Sequence, residues 1–308
     1  MRISRTKRLK YYNSMKRLYN LDSKSYEHPW DREALNKVRK FNALNQVANW
    51  LLKWTDIKWK LIDLQGSSFH ITPESYPELY GQVTEVIRTL DIPRIPDIYT
   101  QWGYYINAYT TGYQDNTVMV LYSGAMDLLT TDETNFVIGH EAGHVKSGHV
   151  LYHMIVMHMQ DIIKYMPMAG QLLQAFWAAL LWWFRMSEFT ADRAGLLACQ
   201  DPDAALRALT KMAGVPQKYY RSFDKKSILR QAEEFMRDNQ DFISRTMTTI
   251  SVLDNTHPWT VLRAAELIKW IDSGEYERIL SGAARVCPVC HSQIPSDAAE
   301  CPVCGAKL

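Results

Sequence analysis

The sequence predicts an α+β fold that is predominantly α, with a small β-sheet and a small cysteine-rich module near the C-terminal end. Three observations support this prediction. Apolar residues recur at helical spacing over most of the 308 residues. Between residues 97 and 122 the composition shifts to tyrosine, threonine, isoleucine and valine, which favour strands. Four of the five cysteines lie within residues 287–304, which indicates a separate module.

We divide the chain into three regions on this basis. Residues 1–70 are predicted as an N-terminal helical region, residues 71–280 as the main domain, and residues 285–308 as the cysteine module. In the first region a helix is expected over residues 32–54, with Asp31 as its N-cap. The length fits one large domain with appendages.

The N-terminal end is strongly basic although the whole chain carries a net charge of only +2. Its first 20 residues hold seven lysines or arginines and no acidic residue. No apolar run follows them, so an export signal is not predicted, and the expected location is the cytoplasm. The basic segment is either a solvated arm or a contact with anionic lipid or nucleic acid. The near-neutral total charge excludes binding of a polyanion by the whole protein, and no nucleic-acid partner is expected.

The main domain is predicted to alternate between a helix, a short sheet and then several helices. Two prolines in residues 91–96 separate the first helix from the sheet. Thr130 and Glu133 have the spacing of a capping box at the start of a long helix. Strands are expected over residues 97–101, 108–111 and 117–122. Helices are expected over residues 77–90, 124–129, 131–165, 171–199, 203–213, 226–239 and 258–273.

The segment His140-Glu141-Ala142-Gly143-His144 is the most informative motif. Residues four apart lie on one face of a helix, so both imidazoles can reach one metal ion, and Glu141 lies beside them. This HExxH spacing is typical of zinc peptidases, in which the glutamate is the general base. The alternative is a coincidental pair of histidines on an exposed helix.

A catalytic zinc needs a third protein ligand and one open position. The two long helices on either side of residues 167–170 are expected to form an antiparallel hairpin, and counting along both arms places Glu188 near His144. We predict Glu188 as the third ligand and Asp192 as the acceptor for the free N–H of a ligand histidine. The alternative for both carboxylates is an ordinary solvated helix face.

These motifs resemble the gluzincin peptidases typified by HtpX and the CAAX prenyl protease. The resemblance is carried by His140-Glu141-x-x-His144, Glu188-x-x-x-Asp192, Thr256-His257-Pro258 with Arg263, and the segment 107–112. It covers about residues 76–271. It implies a zincin-type fold, zinc-dependent endopeptidase activity and frequent membrane association. It also implies that a strand near residues 107–111 binds the backbone of the substrate.

The expected reaction is hydrolysis of peptide bonds in a protein or peptide substrate. Zinc lowers the pKa of its bound water toward about 7, and Glu141 takes the proton and delivers it to the leaving amine. His257 and Arg263 are candidates for stabilising the oxyanion. In the alternative interpretation, His257 caps a helix and Arg263 pairs with a carboxylate such as Asp192.

A hydrophobic hairpin is expected at about residues 150–185. Twenty uncharged residues lie between Lys164 and Arg185, which is the nominal length of a membrane span, but proline, glycine and glutamine weaken that interpretation. The hairpin could instead dip into one leaflet, cover the site, form a subunit interface, or pack against the N-terminal helices. A hairpin that dips into one leaflet would place the protein peripherally or monotopically at a membrane.

The C-terminal cysteines Cys287, Cys290, Cys301 and Cys304 form a C-x2-C-x10-C-x2-C pattern, which predicts a zinc ribbon with one structural zinc. Cys199 has apolar neighbours and is expected in the core. The ribbon could dock a protein partner. We therefore predict a zinc metalloendopeptidase with one catalytic and one structural Zn²⁺. The alternative is a non-catalytic zinc-binding adaptor or membrane-surface scaffold that acts through the ribbon.

Overall fold

The computed structural model describes residues 15–40, 56–113, 116–156, 170–216, 218–219, 224–238, 259–282 and 285–308. Its helices are α1 (Pro29–Arg39), α2 (Asp56–Ser67), α3 (Pro77–Thr89), α4 (Ser123–Leu128), α5 (Thr131–Lys146), α6 (Gly170–Cys199), α7 (Pro202–Met212), α8 (Lys225–Asp238), α9 (Thr260–Asp272) and α10 (Glu275–Ser281). Its strands are β1 (Phe69–Ile71), β2 (Asp97–Gln101), β3 (Ala108–Tyr113), β4 (Asn116–Tyr122), β5 (Arg285–Val286) and β6 (Gln293–Ile294). The predicted α+β class with a helical majority is confirmed.

The larger sheet has the strand order β1-β2-β4-β3. Strands β2 and β4 are parallel, whereas β1 pairs with β2 and β3 pairs with β4 in antiparallel fashion. The three predicted strands are confirmed, and β1 is an additional strand that the sequence analysis missed because it is only three residues long. This topology leaves β3 at one edge of the sheet, with Thr110 opposite Met119 of β4.

The central helix α5 begins with the predicted capping box. The Thr130 side chain accepts from the Glu133 backbone N–H, and the Glu133 carboxylate accepts from the Thr130 backbone N–H at 2.8 Å. Lys211 and Arg207 of α7 donate to the same carboxylate at 2.6 and 3.0 Å. The buried carboxylate of Glu133, with all of these donors, therefore fixes the start of α5. This fixes the position of the residues that follow on the same helix.

Small residues bring α5 and α6 into close contact. A Cβ on Gly139 would lie 2.3 Å from the Cβ of Ala198, and a Cβ on Gly143 would lie 2.5 Å from that of Ala194. The residue numbers of the contacts increase along α5 while they decrease along α6, so the two helices are antiparallel. A Cβ on Gly195 would lie 2.7 Å from the Phe136 carbonyl oxygen, so glycine is required where the backbones meet.

We expect Gly195→Ala to lower the free energy of unfolding by about 1–3 kcal/mol, because the added methyl group meets backbone that cannot move aside. Gly81→Ala is the matched control, since this glycine also lies in a helix and no atom lies within 4 Å of a Cβ there. It should raise stability by about 0.5–1 kcal/mol through helix propensity. Urea unfolding of both variants measures the difference, and equal stabilities would contradict the close approach of the helices.

Two helix predictions are corrected by the structure. The helix predicted over residues 131–165 ends at Lys146, because Gly148 adopts φ +72°, a left-handed conformation that an α-helix cannot include. Residues 150–156 are helical again. The helix predicted over residues 32–54 begins at Pro29 and ends at Arg39, and its N-cap is His28 rather than Asp31. Residues 41–55 lie outside the described part of the chain.

The described half of the hydrophobic hairpin lies in the core. Trp177, Leu180 and Trp183 of α6 are buried, and α6 packs along α1. This arrangement agrees with the fourth alternative for the hairpin, packing against the N-terminal helices. Residues 157–169 lie outside the described part. Among the residues that are described, no helix has both the length and the apolar character needed to cross a membrane.

The C-terminal module is a small unit of its own, with β5 and β6 pairing as an antiparallel ribbon over Cys287, Ile294 and Cys301. It is attached to the rest of the protein through Gln293. The Gln293 side chain accepts from the Arg17 backbone N–H at 2.7 Å and donates to the Met15 carbonyl at 2.7 Å. The Tyr19 hydroxyl donates to the Gln293 carbonyl at 2.7 Å, so an N-terminal segment holds the ribbon in place.

Candidate metal centre

His140 and His144 lie one turn apart on α5, and both are 3% exposed. Their Nε2 atoms are 3.2 Å apart. The helical period places both rings on the same face, where α6 and the edge strand β3 meet α5. The motif therefore forms the buried pair of imidazoles that the sequence predicts.

Glu188 of α6 completes this group. Its carboxylate oxygens lie 3.4 Å from His140 Nε2 and 3.3 Å from His144 Nε2. A tetrahedral zinc with ligand bonds of about 2.0–2.1 Å has ligand atoms separated by about 3.3–3.4 Å. The three side chains thus fit the spacing of a zinc site, and two imidazoles with one carboxylate are the ligand types that catalytic zinc uses.

Glu141 lies between the two histidines in sequence and is also buried. The Thr110 hydroxyl of β3 donates to the Glu141 carboxylate at 2.8 Å. This contact orients the carboxylate and links the edge strand directly to the site. From the sequence, Thr110 is predicted only as part of a strand beside the site. A contact between a strand and a helix 31 residues later in the chain has no local sequence signal.

Asp192 and Arg263 form a buried pair beside His140. Asp192 Oδ1 lies 3.0 Å from His140 Nδ1, and the Arg263 guanidinium donates to Asp192 through Nε at 2.7 Å and Nη2 at 2.6 Å. Arg263 Nη1 lies 3.2 Å from the Glu188 carboxylate. Arg263 is 1% exposed and faces carboxylates, which agrees with the alternative in which it supports the site through Asp192.

The electrostatics of the site follow from burial and from these pairs. Burial lowers the pKa of His144 to about 4 despite the neighbouring Glu188 carboxylate. Burial also acts to lower the pKa of His140, but hydrogen bonds to Asp192 and Glu188 outweigh it and raise that pKa to about 9. Burial acts to raise the pKa of Asp192, and Arg263 more than offsets this and lowers it. A metal bound by His140 must therefore displace a proton.

His144 has a different partner on its far side. Its Nδ1 lies 3.0 Å from Nδ1 of His149, and His149 Nε2 lies 3.2 Å from a carboxylate oxygen of Asp31. Burial acts to raise the pKa of Asp31, but His149 and two hydrogen-bond donors outweigh it and lower that pKa. His153 approaches the same group and makes a 2.9 Å hydrogen bond with Ser187.

Two other residues discussed from the sequence are His257 and Cys199. His257 lies outside the described residues, so its role stays a prediction. Cys199 is buried in the core as predicted, and burial raises its thiol pKa to about 12.

The four C-terminal cysteines form a second candidate metal site. Cys287 Sγ lies 3.8 Å from Cys304 Sγ, and Cys290 Sγ lies 3.6 Å from Cys301 Sγ. Four sulfurs bonded to zinc at about 2.3 Å are separated by about 3.8 Å, so the thiols fit a closed tetrahedral site. All four lie within 4.8 Å of one another, and none forms a disulfide.

Comparison with known proteins agrees with this geometry. Residues 73–271 match Peptidase family M48. The chain belongs to peptidase family M48. Residues 286–308 match a zinc-ribbon domain. The resemblance to HtpX-type peptidases and the C-terminal zinc ribbon predicted from the sequence are thus confirmed.

Several M48-type relatives align over most of their length. The chain is 28% identical over 269 residues to the plastoglobule-localized metallopeptidase 48 of Arabidopsis thaliana chloroplasts, covering 86% of this chain and 78% of the relative. It is 24% identical over 227 residues to protease HtpX homolog 2 of Methanosarcina mazei, covering 65% and 74%. It is 28% identical over 229 residues to the homolog 2 of Methanosarcina acetivorans, covering 65% and 75%. This M48 protein is a zinc metallopeptidase, and its substrates are proteins or peptides.

Proposed function

We propose that this M48 protein is an endopeptidase in which His140, His144 and Glu188 hold a catalytic zinc and Glu141 is the general base. The observation that carries the proposal is the buried group of three potential ligands at zinc spacing, with a second carboxylate, that of Glu141, oriented beside it. Two carboxylates with separate hydrogen-bond partners can hold two separate roles.

The roles of the chain's residues follow from their contacts. When bound, zinc supplies a Lewis acid that acidifies water and polarises the scissile carbonyl. Glu141, aligned by Thr110, takes a proton from the attacking water and returns it to the leaving amine. Asp192 accepts from the Nδ1–H of His140 and fixes that ring, while Arg263 fixes Asp192.

The edge strand β3 suits the binding of an extended substrate. It pairs with β4 on one side only in the described part of the sheet, and Thr110 connects it to Glu141. A substrate segment that adds to this edge gains main-chain hydrogen bonds without requiring particular side chains. This supports cleavage within polypeptides rather than of free dipeptides.

Zinc content and proteolysis test the proposal together. We expect the purified protein to contain two zinc ions per chain and to cleave an unfolded protein such as casein. A chelator should abolish cleavage, and added zinc should restore it. A protein with one zinc, bound by the ribbon, and no cleavage would instead support the adaptor alternative.

One specific observation favours a protein-binding role for the zinc ribbon. Val289 and Val303, which occupy equivalent positions in the two Cys-x-x-Cys turns, are 65% and 64% exposed. We propose that this face of the ribbon binds a protein partner in addition to the peptidase activity, and that the ribbon holds the structural zinc. Loss of co-purifying partners in a Val289→Ser, Val303→Ser variant with unchanged zinc content would support this role.

We further propose that the protein acts in the cytoplasm, peripherally at a membrane surface. The support is an uncharged loop between β2 and β3, in which Trp102 is 87% exposed and Tyr104 is 70% exposed, since such side chains favour lipid interfaces. Flotation with anionic vesicles should recover the protein, and a Trp102→Ala, Tyr104→Ala variant should remain in the soluble fraction. Wild-type protein that ignores the vesicles would contradict this location.

A further inference from the structure

The second zinc ligand, His144, is linked to a buried carboxylate through another histidine. His144 Nδ1 lies 3.0 Å from His149 Nδ1, and His149 Nε2 lies 3.2 Å from Asp31 Oδ2. All three residues are buried, with at most 3% of each exposed. The contacts form an unbroken path from the metal-facing ring to helix α1.

The protons on this path can be assigned from the metal ligand outward. If His144 uses Nε2 as a ligand, its proton is on Nδ1, and it donates to His149 Nδ1. His149 must then accept at Nδ1 and carry its own proton on Nε2, where Asp31 is the acceptor. Each ring is then held in one tautomer by the hydrogen bond that the next group accepts.

Asp31 is equipped to be the fixed end of this path. Its Oδ1 accepts from the Trp183 indole N–H at 2.7 Å, and its Oδ2 accepts from the Thr190 hydroxyl at 2.6 Å. The Thr190 hydroxyl in turn accepts from the His28 backbone N–H at 3.0 Å. The Asp31 carboxylate is thus surrounded by hydrogen-bond donors. Because an ionised carboxylate accepts at both oxygens, these donors keep it ionised and fix its orientation.

We propose that Asp31, acting through His149, is a positioning residue that holds His144 in the orientation and tautomer needed to bind zinc. The inference rests on the proposed function, since it assigns a role toward the same zinc. It is the counterpart of Asp192, which contacts His140 directly. Asp31 lies outside residues 73–271, so a helix beyond the matched peptidase region completes the metal site.

A third histidine near this path raises the alternative of a second metal ion. Ligand atoms of His144, His149 and His153 lie within 4.8 Å of one another. However, Asp31 occupies Nε2 of His149, and His144 occupies its Nδ1. A metal ion bound by these three histidines would have to break one of these hydrogen bonds. The geometry therefore favours the hydrogen-bonded chain from His144 to Asp31 over a second metal site.

The test compares zinc binding by Asp31→Asn and by Glu33→Gln, a matched control that removes an exposed carboxylate from the same helix. Chelator competition on the full-length protein measures both zinc sites, and the ribbon zinc is an internal reference. We expect Asp31→Asn to weaken the catalytic site about 10- to 100-fold and to change the visible spectrum of bound Co²⁺. The ribbon site and the control variant should be unchanged.

A second measurement needs no variant, which matters if Asp31→Asn fails to fold. Nitrogen chemical shifts of the histidine rings in the zinc-loaded wild-type protein report the tautomers directly. We expect the proton of His149 on Nε2 and that of His144 on Nδ1. A proton on Nδ1 of His149, or unchanged zinc affinity in folded Asp31→Asn, would overturn the positioning role alone. Wild-type protein with zinc only in the ribbon would overturn the proposed function as well.

Discussion

Replacing Glu141 with glutamine is expected to lower kcat by about 10²- to 10⁴-fold, the range that general acid–base catalysis contributes. Glutamine keeps the shape of the side chain and can still accept from the Thr110 hydroxyl, but it cannot take a proton from water. Zinc content should stay at that of the wild type because Glu141 is not among the three grouped ligands. Steady-state cleavage of a fluorescent peptide, with zinc analysis of the same sample, measures both.

Thr110→Val tests the same carboxylate with a milder change. It removes the 2.8 Å hydrogen bond to the Glu141 carboxylate but leaves the carboxylate in place. We expect a smaller loss of kcat, about 10-fold, since one positioning hydrogen bond is lost. Cleavage that persists at the wild-type rate in Glu141→Gln would refute the role of Glu141 as general base.

The second large effect is on stability. Arg263→Met should lower the free energy of unfolding of the metal-free protein by about 3–5 kcal/mol, because the two buried carboxylates Asp192 and Glu188 would lose the guanidinium and keep only the His140 imidazole as a cationic partner. Burial acts to lower the pKa of Arg263, but the two carboxylates outweigh it and raise that pKa, so the guanidinium is charged in the folded protein. The metal-free state is the one to measure because bound zinc would offset part of the charge.

Arg278→Met is the control for this prediction. Arg278 makes a similarly short ion pair with Glu275, at 2.7 Å, but both side chains are at least half exposed. Its loss should change stability by less than about 1 kcal/mol, as for other solvated pairs. If urea unfolding gives equal losses for the two variants, the burial argument for Arg263 is wrong.

The parts of the site that the sequence predicts share one property, namely regular spacing along helices. His140 and His144 are grouped by the helical period alone. Glu188 was placed by counting along a hairpin, and the structure brings it to His144 even though the first helix breaks at Gly148. The prediction for Glu188 holds despite the break at Gly148, because α5 and α6 are already in contact at Gly143, before the break. That contact fixes the register between the two helices next to His144.

The parts that were missed depend on contacts between distant segments. Asp31 has the residue type and position of a helix cap, so its local pattern gave no reason to expect a buried role. Its partners Trp183 and Thr190 are 152 and 159 residues away in the chain. The contacts of His149 with His144 and Asp31 depend on the turn that Gly148 introduces, and the spacing of residues along a helix does not predict such a turn.

The attachment of the ribbon to the N-terminal segment has a consequence for the order of folding. Gln293 and Met15 are separated by 278 residues, so the chain between them must be synthesised and largely folded before they can meet. Contacts of such long sequence separation carry a large loop-closure cost and form late. The same N-terminal segment leads into the helix that carries Asp31. The N-terminal segment should therefore gain its contacts with Gln293 late in folding, after the chain between the two has formed its own structure.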